Sequence, residues 1–90
     1  MKTGIEIIAD ERKRQIESEG WSAEHDKQYT DGSLAIAAAS YALAKGHLIP
    51  TFWPWDKKWW KPTPENRIKE LAKAGALIAA EIDRIQNLDK

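Results

Sequence analysis

Phe52-Trp53-Pro54-Trp55-Asp56-Lys57-Lys58-Trp59-Trp60-Lys61-Pro62 decides how this chain is read. Four of the five tryptophans fall within these eleven residues. The prolines forbid a regular helix, and the charges that split the aromatics leave no strand pattern. The stretch lies in a connector over 46–62, longer than the roughly 12–15 residues beyond which structureless connections become uncommon and often functional. It separates helical segments. Its rings either roof a core or wall a ligand site.

On its N-terminal side, residues 33–45 read as a helix with no charge before Lys45. Asp31 or Ser33 can cap its start and Gly46 ends it. Leu34 and Tyr41 share one side, Ile36 and Leu43 the other, with alanines between. A helix that is apolar all round is buried all round. Two further helices cannot surround it, so the connector or another subunit must cover the rest. Tyr41 carries a hydroxyl into this environment and needs a partner.

On its C-terminal side, residues 64–88 read as a helix, with Thr63 as N-cap, Pro64 at its first position and Glu65 near the positive dipole end. Ile68, Leu71, Gly75, Ile78, Ile82 and Ile85 form its apolar stripe, and Lys69, Lys73, Asp83 and Arg84 lie on the other face. Glu70, Leu77, Glu81 and Leu88 run along the border. Glycine costs a helix about 0.8–1 kcal/mol relative to alanine, so Gly75 within the stripe implies a close packing contact.

The N-terminal segment 5–19 is a third helix, ended by Gly20. At about 100° per residue, Ile5, Ile8 and Ile16 share a stripe. Arg12, Gln15 and Glu19 project from within it, and Glu11 lies at its edge. Buried polar groups need partners. These side chains either pair internally or face a pocket closed by other segments. Trp21 is expected to fold back onto the bundle. His25-Asp26 invites a metal reading, but the only other histidine is His47, and no compact ligand motif results.

The expected fold is therefore all-α: a single domain over 1–90, a three-helix bundle with a long Trp/Pro-rich connector between its second and third helices, and oligomeric. A chain this short buries a modest fraction of its surface. It has no cysteine, which removes disulfides and thiolate metal sites. Fourteen basic residues balance fourteen acidic ones, which gives no global field toward nucleic acid. No apolar run approaches the roughly 20 residues needed to span a bilayer. Met1-Lys2-Thr3-Gly4 lacks the apolar core of a signal peptide, so a cytoplasmic location is expected.

Three chemistries compete. A metal-dependent pyrophosphohydrolase of the MazG type holds Mg²⁺ with Glu-Glu-x-x-Glu and Glu-x-x-Asp on neighbouring helices. Asp10-Glu11, Glu17-x-Glu19 and Glu81-x-Asp83 depart from that spacing. No Gly-x-Ser-x-Gly and no phosphate-binding glycine loop is present. Binding chemistry is better represented. Tryptophans stack on nucleobases, and lysines and arginines hold phosphates. Lys57, Lys58 and Lys61 interleave with Trp55, Trp59 and Trp60. The third possibility is a module that blocks a host factor through an aromatic hot spot.

Glu11-Arg12-x-x-Gln15, Glu19-Gly20-Trp21, His25-Asp26, Leu34-x-x-Ala37-Ala38, Tyr41, Trp53-Pro54-Trp55, Lys61-Pro62 and Lys73-Ala74-Gly75-Ala76-Leu77-Ile78-x-Ala80-Glu81-Ile82-Asp83-Arg84 together resemble a family of small phage and prophage proteins over nearly the whole chain. The resemblance implies a phage origin and residence in the bacterial host cytoplasm, and carries no mechanism. By analogy of size and context, small phage proteins include oligomeric sponges for nucleotide signals of bacterial immunity. The leading expectation is a non-catalytic, homo-oligomeric binder of a small nucleotide-like ligand, without cofactor or metal. Its expected site is Arg12, Gln15, Glu19, Trp21, Tyr41, Trp53, Trp55, Lys58, Trp59, Trp60 and Glu81.

Overall fold

Thr3 starts the first helix through a reciprocal cap. Its hydroxyl accepts from the Glu6 amide at 3.3 Å, and the Glu6 carboxylate accepts from the Thr3 amide at 2.8 Å, which satisfies two donors that a helix start otherwise leaves open. Helix α1, Gly4–Glu19, ends on Gly20 at φ 72°, the left-handed conformation that glycine adopts without penalty. The computed structural model describes residues 1–20 and 28–87. Trp21, His25 and Asp26 lie outside them.

Helix α2, Ser33–Ala42, follows Asp31, whose carboxylate accepts from the Ser33 amide at 3.1 Å. It ends earlier than the expected residue 45. Arg67 accounts for the early stop: its guanidinium donates to the Tyr41 carbonyl at 3.1 Å and also to that of Ala42. A cation at this end complements the helix dipole and serves the last carbonyls, of which that of Tyr41 also accepts from the Ala44 amide at 3.3 Å.

Helix α3, Arg67–Gln86, begins later than Thr63 and Pro64 suggested. The cap is Asn66, which accepts from the Lys69 amide at 3.1 Å. Thr63 serves elsewhere: its amide donates to the buried Glu70 carboxylate at 3.1 Å. Pro64 lies in the turn before the helix.

Helices α1 and α2 each pack on α3 and not on each other. Among the described residues there is no strand, and no helix is long and apolar enough to cross a membrane. The core joins Leu34, Ala37, Ala38 and Tyr41 of α2 to Ala74, Leu77 and Ala80 of α3, closed by Trp60. Small side chains let these two helices approach closely, and the aromatic residues supply the missing volume.

The isoleucine stripe of α3 stays outside this core. Ile68, Leu71, Ile78, Ile82 and Ile85 are 46–63% exposed. The buried residues are instead Glu70, Ala72, Ala74, Ala76, Leu77, Ala80 and Arg84. Glu70 and Leu77 come from the expected border, and Arg84, expected on the solvated face, is buried against Glu81. Within the one chain the connector covers the second helix only on its Tyr41 side, and Ile36 and Leu43 remain exposed. Gly75 makes the close contact its position implied. A Cβ there would lie 2.6 Å from Cδ1 of Ile8, so α1 seats an isoleucine in the notch.

Candidate functional site

The connector folds on itself before it packs. Asp56 accepts from the Lys58 amide at 3.0 Å and starts a single 3₁₀ turn, Lys57–Trp59. The Trp53 indole donates to the Asp56 carbonyl at 3.1 Å, and that of Trp60 to the His47 carbonyl at 3.3 Å. Trp60 stacks on Tyr41 at 4.8 Å, with Trp53 edge-on to both rings. Trp55 packs between Trp53 and Tyr29, and its buried indole nitrogen has no hydrogen-bond partner. Three tryptophans thus form the roof over α2. The turn sends the fourth, Trp59, outward, where it is 51% exposed.

Trp59 walls a cavity of about 310 Å³ in the gap between α1 and α2. Tyr41 and Lys61 stand beside it, Lys69 and Lys73 come from α3, and Arg14 and Glu19 from the end of α1. Four cations therefore face one carboxylate. The ammonium of Lys73 donates to the Lys61 carbonyl at 2.7 Å and lies 5.3 Å from the centre of the Tyr41 ring. Burial, and then the like charge of Lys69, push its pKa below the ordinary lysine value. The Tyr41 hydroxyl accepts from the Lys61 amide at 3.2 Å, and burial raises its pKa.

Arg14 is held in place before any ligand arrives. It forks onto Glu11 at 2.8 and 2.7 Å and approaches Glu19 at 3.6 Å. The hydrogen bond to Glu11 is the main reason its pKa rises. Lys58 and Lys61 lie 5.5 and 5.8 Å from the centre of the Trp59 ring, a cation–π distance.

Glu19, Tyr41 and Trp59 of the expected site line this cavity. Lys58 is next to it, on the Trp59 ring. Trp53, Trp55 and Trp60 stand behind Tyr41, within the roof. The other polar candidates point elsewhere. Arg12 pairs with Asp83 at 3.1 Å and Glu81 with Arg84 at 2.5 Å. Gln15 is buried, donates to Glu11 at 3.4 Å, and leaves its amide oxygen without a hydrogen-bond partner. Trp21 lies outside the described residues.

Arg14, Lys61, Lys69 and Lys73 were not in the expected site, whose only lysine was Lys58. Lys69 and Lys73 repel each other at i,i+4 and occupy the face opposite an apolar stripe, which is the pattern of a solvated surface. Only the path of the connector turns them into a wall.

The inward carboxylates of Glu11, Glu70 and Glu81 each meet an arginine three residues away. Among the described residues, no three histidine, aspartate or glutamate side chains converge where a metal ion could sit. Comparison with protein-family models, with curated proteins and with solved structures gave no match.

Proposed function

We propose that the chain is a phage-type, non-catalytic binder of a small nucleotide-like anion, acting by sequestration as an anti-defence sponge in the host cytoplasm. One observation carries this proposal: an open aromatic ring, Trp59, shares a cavity with Arg14, Lys61, Lys69 and Lys73. A flat base stacks on the ring, and phosphate oxygens meet the ammonium groups. Tyr41 is buried against Trp60, whereas Trp59 is half exposed, so stacking falls to Trp59. The volume suits a ligand of about one nucleotide, at the low end of the roughly 300–1,000 Å³ typical of ligand pockets. The pyrophosphohydrolase alternative needs carboxylates gathered around a metal ion, whereas the inward carboxylates here are engaged by arginine. Self-association belongs to the same proposal, because so small a chain leaves many large aliphatic side chains exposed.

Isothermal titration against cyclic mononucleotides, cyclic dinucleotides and ADP-ribose-type compounds tests the binding. Saturable binding by at least one class is expected, weakened tenfold or more by Trp59→Ala or by Lys73→Gln. Chromatography of the mixture after prolonged incubation should return the nucleotide unchanged. No heat from any compound would end the proposal, and turnover would end its non-catalytic part.

A further inference from the structure

The side of α3 turned away from the cavity carries Ile68, Leu71, Gly75, Ile78, Ile82 and Ile85. Their spacing alternates between three and four residues, the a/d repeat of a coiled-coil seam, in which side chains of one helix enter holes on a facing helix. No seam position is charged, and Ile78, Ile82 and Ile85 are each 51% exposed. Gly4, Ile7 and Ile8 of α1 share an apolar groove of about 320 Å³ with Ile68 and Leu71, so the apolar face spans two helices. Single protein molecules rarely expose a contiguous patch of this kind without a partner.

We propose that a second copy of this chain covers the face, with the two α3 helices antiparallel. The register is self-complementary. Ile68 meets Ile85 of the partner subunit, Leu71 meets Ile82 of the partner subunit, and Ile8, seated at Gly75, meets Ile78 of the partner subunit. Ile8 already fills the notch at Gly75, so every step of the seam presents an aliphatic side chain. Coiled coils select a different partner, or a parallel one, through charges beside the seam. Here the flanks are Ala72, Ala74, Ala79 and Gln86, while Arg67 and Glu81 are held by Glu70 and Arg84 of their own chain.

The size is adequate. Seventeen steps of helix extend about 26 Å, and two adjacent helices are about 20 Å wide. That is about 520 Å² a side, so two copies bury about 1,000 Å² together, at the lower bound for a biological interface. At about 100° per residue, Lys69 and Lys73 lie about 180° around α3 from Leu71, Ile78 and Ile82. The two cavities of the dimer consequently open on opposite outer faces. This interface rests on the self-association proposed above and adds its surface, its direction and the independence of the binding cavities.

Light scattering after gel filtration of the full chain tests it. The wild type should have twice the chain mass, and Ile82→Lys should have the single mass with unchanged helical circular dichroism. Leu43→Lys, at an exposed residue just past the end of α2, should leave the dimer intact. Because the chain lacks cysteine, a 1:1 mixture of Leu71→Cys and Ile82→Cys chains should form a disulfide-linked pair that neither variant forms alone. A monomeric wild type overturns self-association altogether and leaves the face to a different partner. A dimer that survives Ile82→Lys, or that is lost with Leu43→Lys, overturns this surface only. Cross-linking of Ile82→Cys alone overturns the antiparallel direction, and the cysteine pair decides the case if the lysine variant fails to fold.

Discussion

Lys73 concentrates the chemistry of the cavity in a single side chain. It is partly buried, next to Lys69, with its ammonium on the Lys61 carbonyl and the Tyr41 ring. Its pKa in the fold lies below the ordinary 10.5. In the interval between those two values the unfolded chain binds more protons, so this group makes stability rise with pH there. The Lys73→Met variant should be more stable than the wild type at neutral pH, and that gain should shrink as pH rises through the interval. Ligand affinity should move the opposite way. A phosphate favours the charged ammonium, so wild-type binding should weaken on the alkaline side earlier than ordinary lysines titrate, accompanied by proton uptake. Titration in buffers of different ionisation enthalpy measures that uptake. None of this was legible at residue scale. A lysine opposite an apolar stripe reads as solvated, and its environment is built by Lys61 of the connector and Tyr41 of α2.

At the scale of elements, the closest fit is α1 on α3 through Ile8 and Gly75. Alanine at 75 gains about 0.8–1 kcal/mol of helix propensity but forces Ile8 out of the notch, an overpacking that typically costs 1–3 kcal/mol. Gly75→Ala should therefore destabilise by about 1 kcal/mol in chemical denaturation. Adding Ile8→Ala should relieve part of that cost, and the non-additivity of the pair measures the contact. The three helices, the Gly20 stop and the importance of Gly75 were readable from periodicity and glycine placement. The orientation of α3 was not. Periodicity says which residues share a face, not which face meets the core. Ala74 and Ala80 carry no weight in such a pattern, yet their small size lets α2 come close enough for Leu34 and Tyr41 to pack there. The helix start was also displaced. Thr63-Pro64 has the composition of a start, but the buried Glu70 takes the Thr63 amide and leaves Asn66 to cap.

For the whole molecule, the aromatic stretch divides into two functions. Trp53, Trp55 and Trp60 close the α2–α3 core, whereas Trp59 stands at the cavity. Trp60→Ala removes a ring stacked on Tyr41 in a well-packed site, a change that typically costs 3–5 kcal/mol. Small domains have a total stability of about 5–15 kcal/mol, so this variant should melt far below the wild type or fail to fold. Trp59→Ala should alter stability by no more than about 0.5 kcal/mol, as surface substitutions usually do, while weakening nucleotide binding. Thermal denaturation of the two variants side by side separates roof from wall. Sequence alone posed that choice for the entire stretch. It could not divide it, because one 3₁₀ turn, set by Asp56, sends adjacent tryptophans in opposite directions.

The roof has an optical consequence. Trp53 and Trp60 lie 4.9 Å apart with their planes at 64°, and Trp53 and Trp55 lie 5.5 Å apart at 82°. Transition dipoles that are close and not parallel exchange excitation, and the exchange splits an absorption band into two lobes of opposite circular-dichroism sign. The folded chain should show such a couplet, abolished by Trp53→Phe and unaffected by Trp59→Phe. Loss of the couplet on heating would time the opening of the roof separately from the melting of the helices.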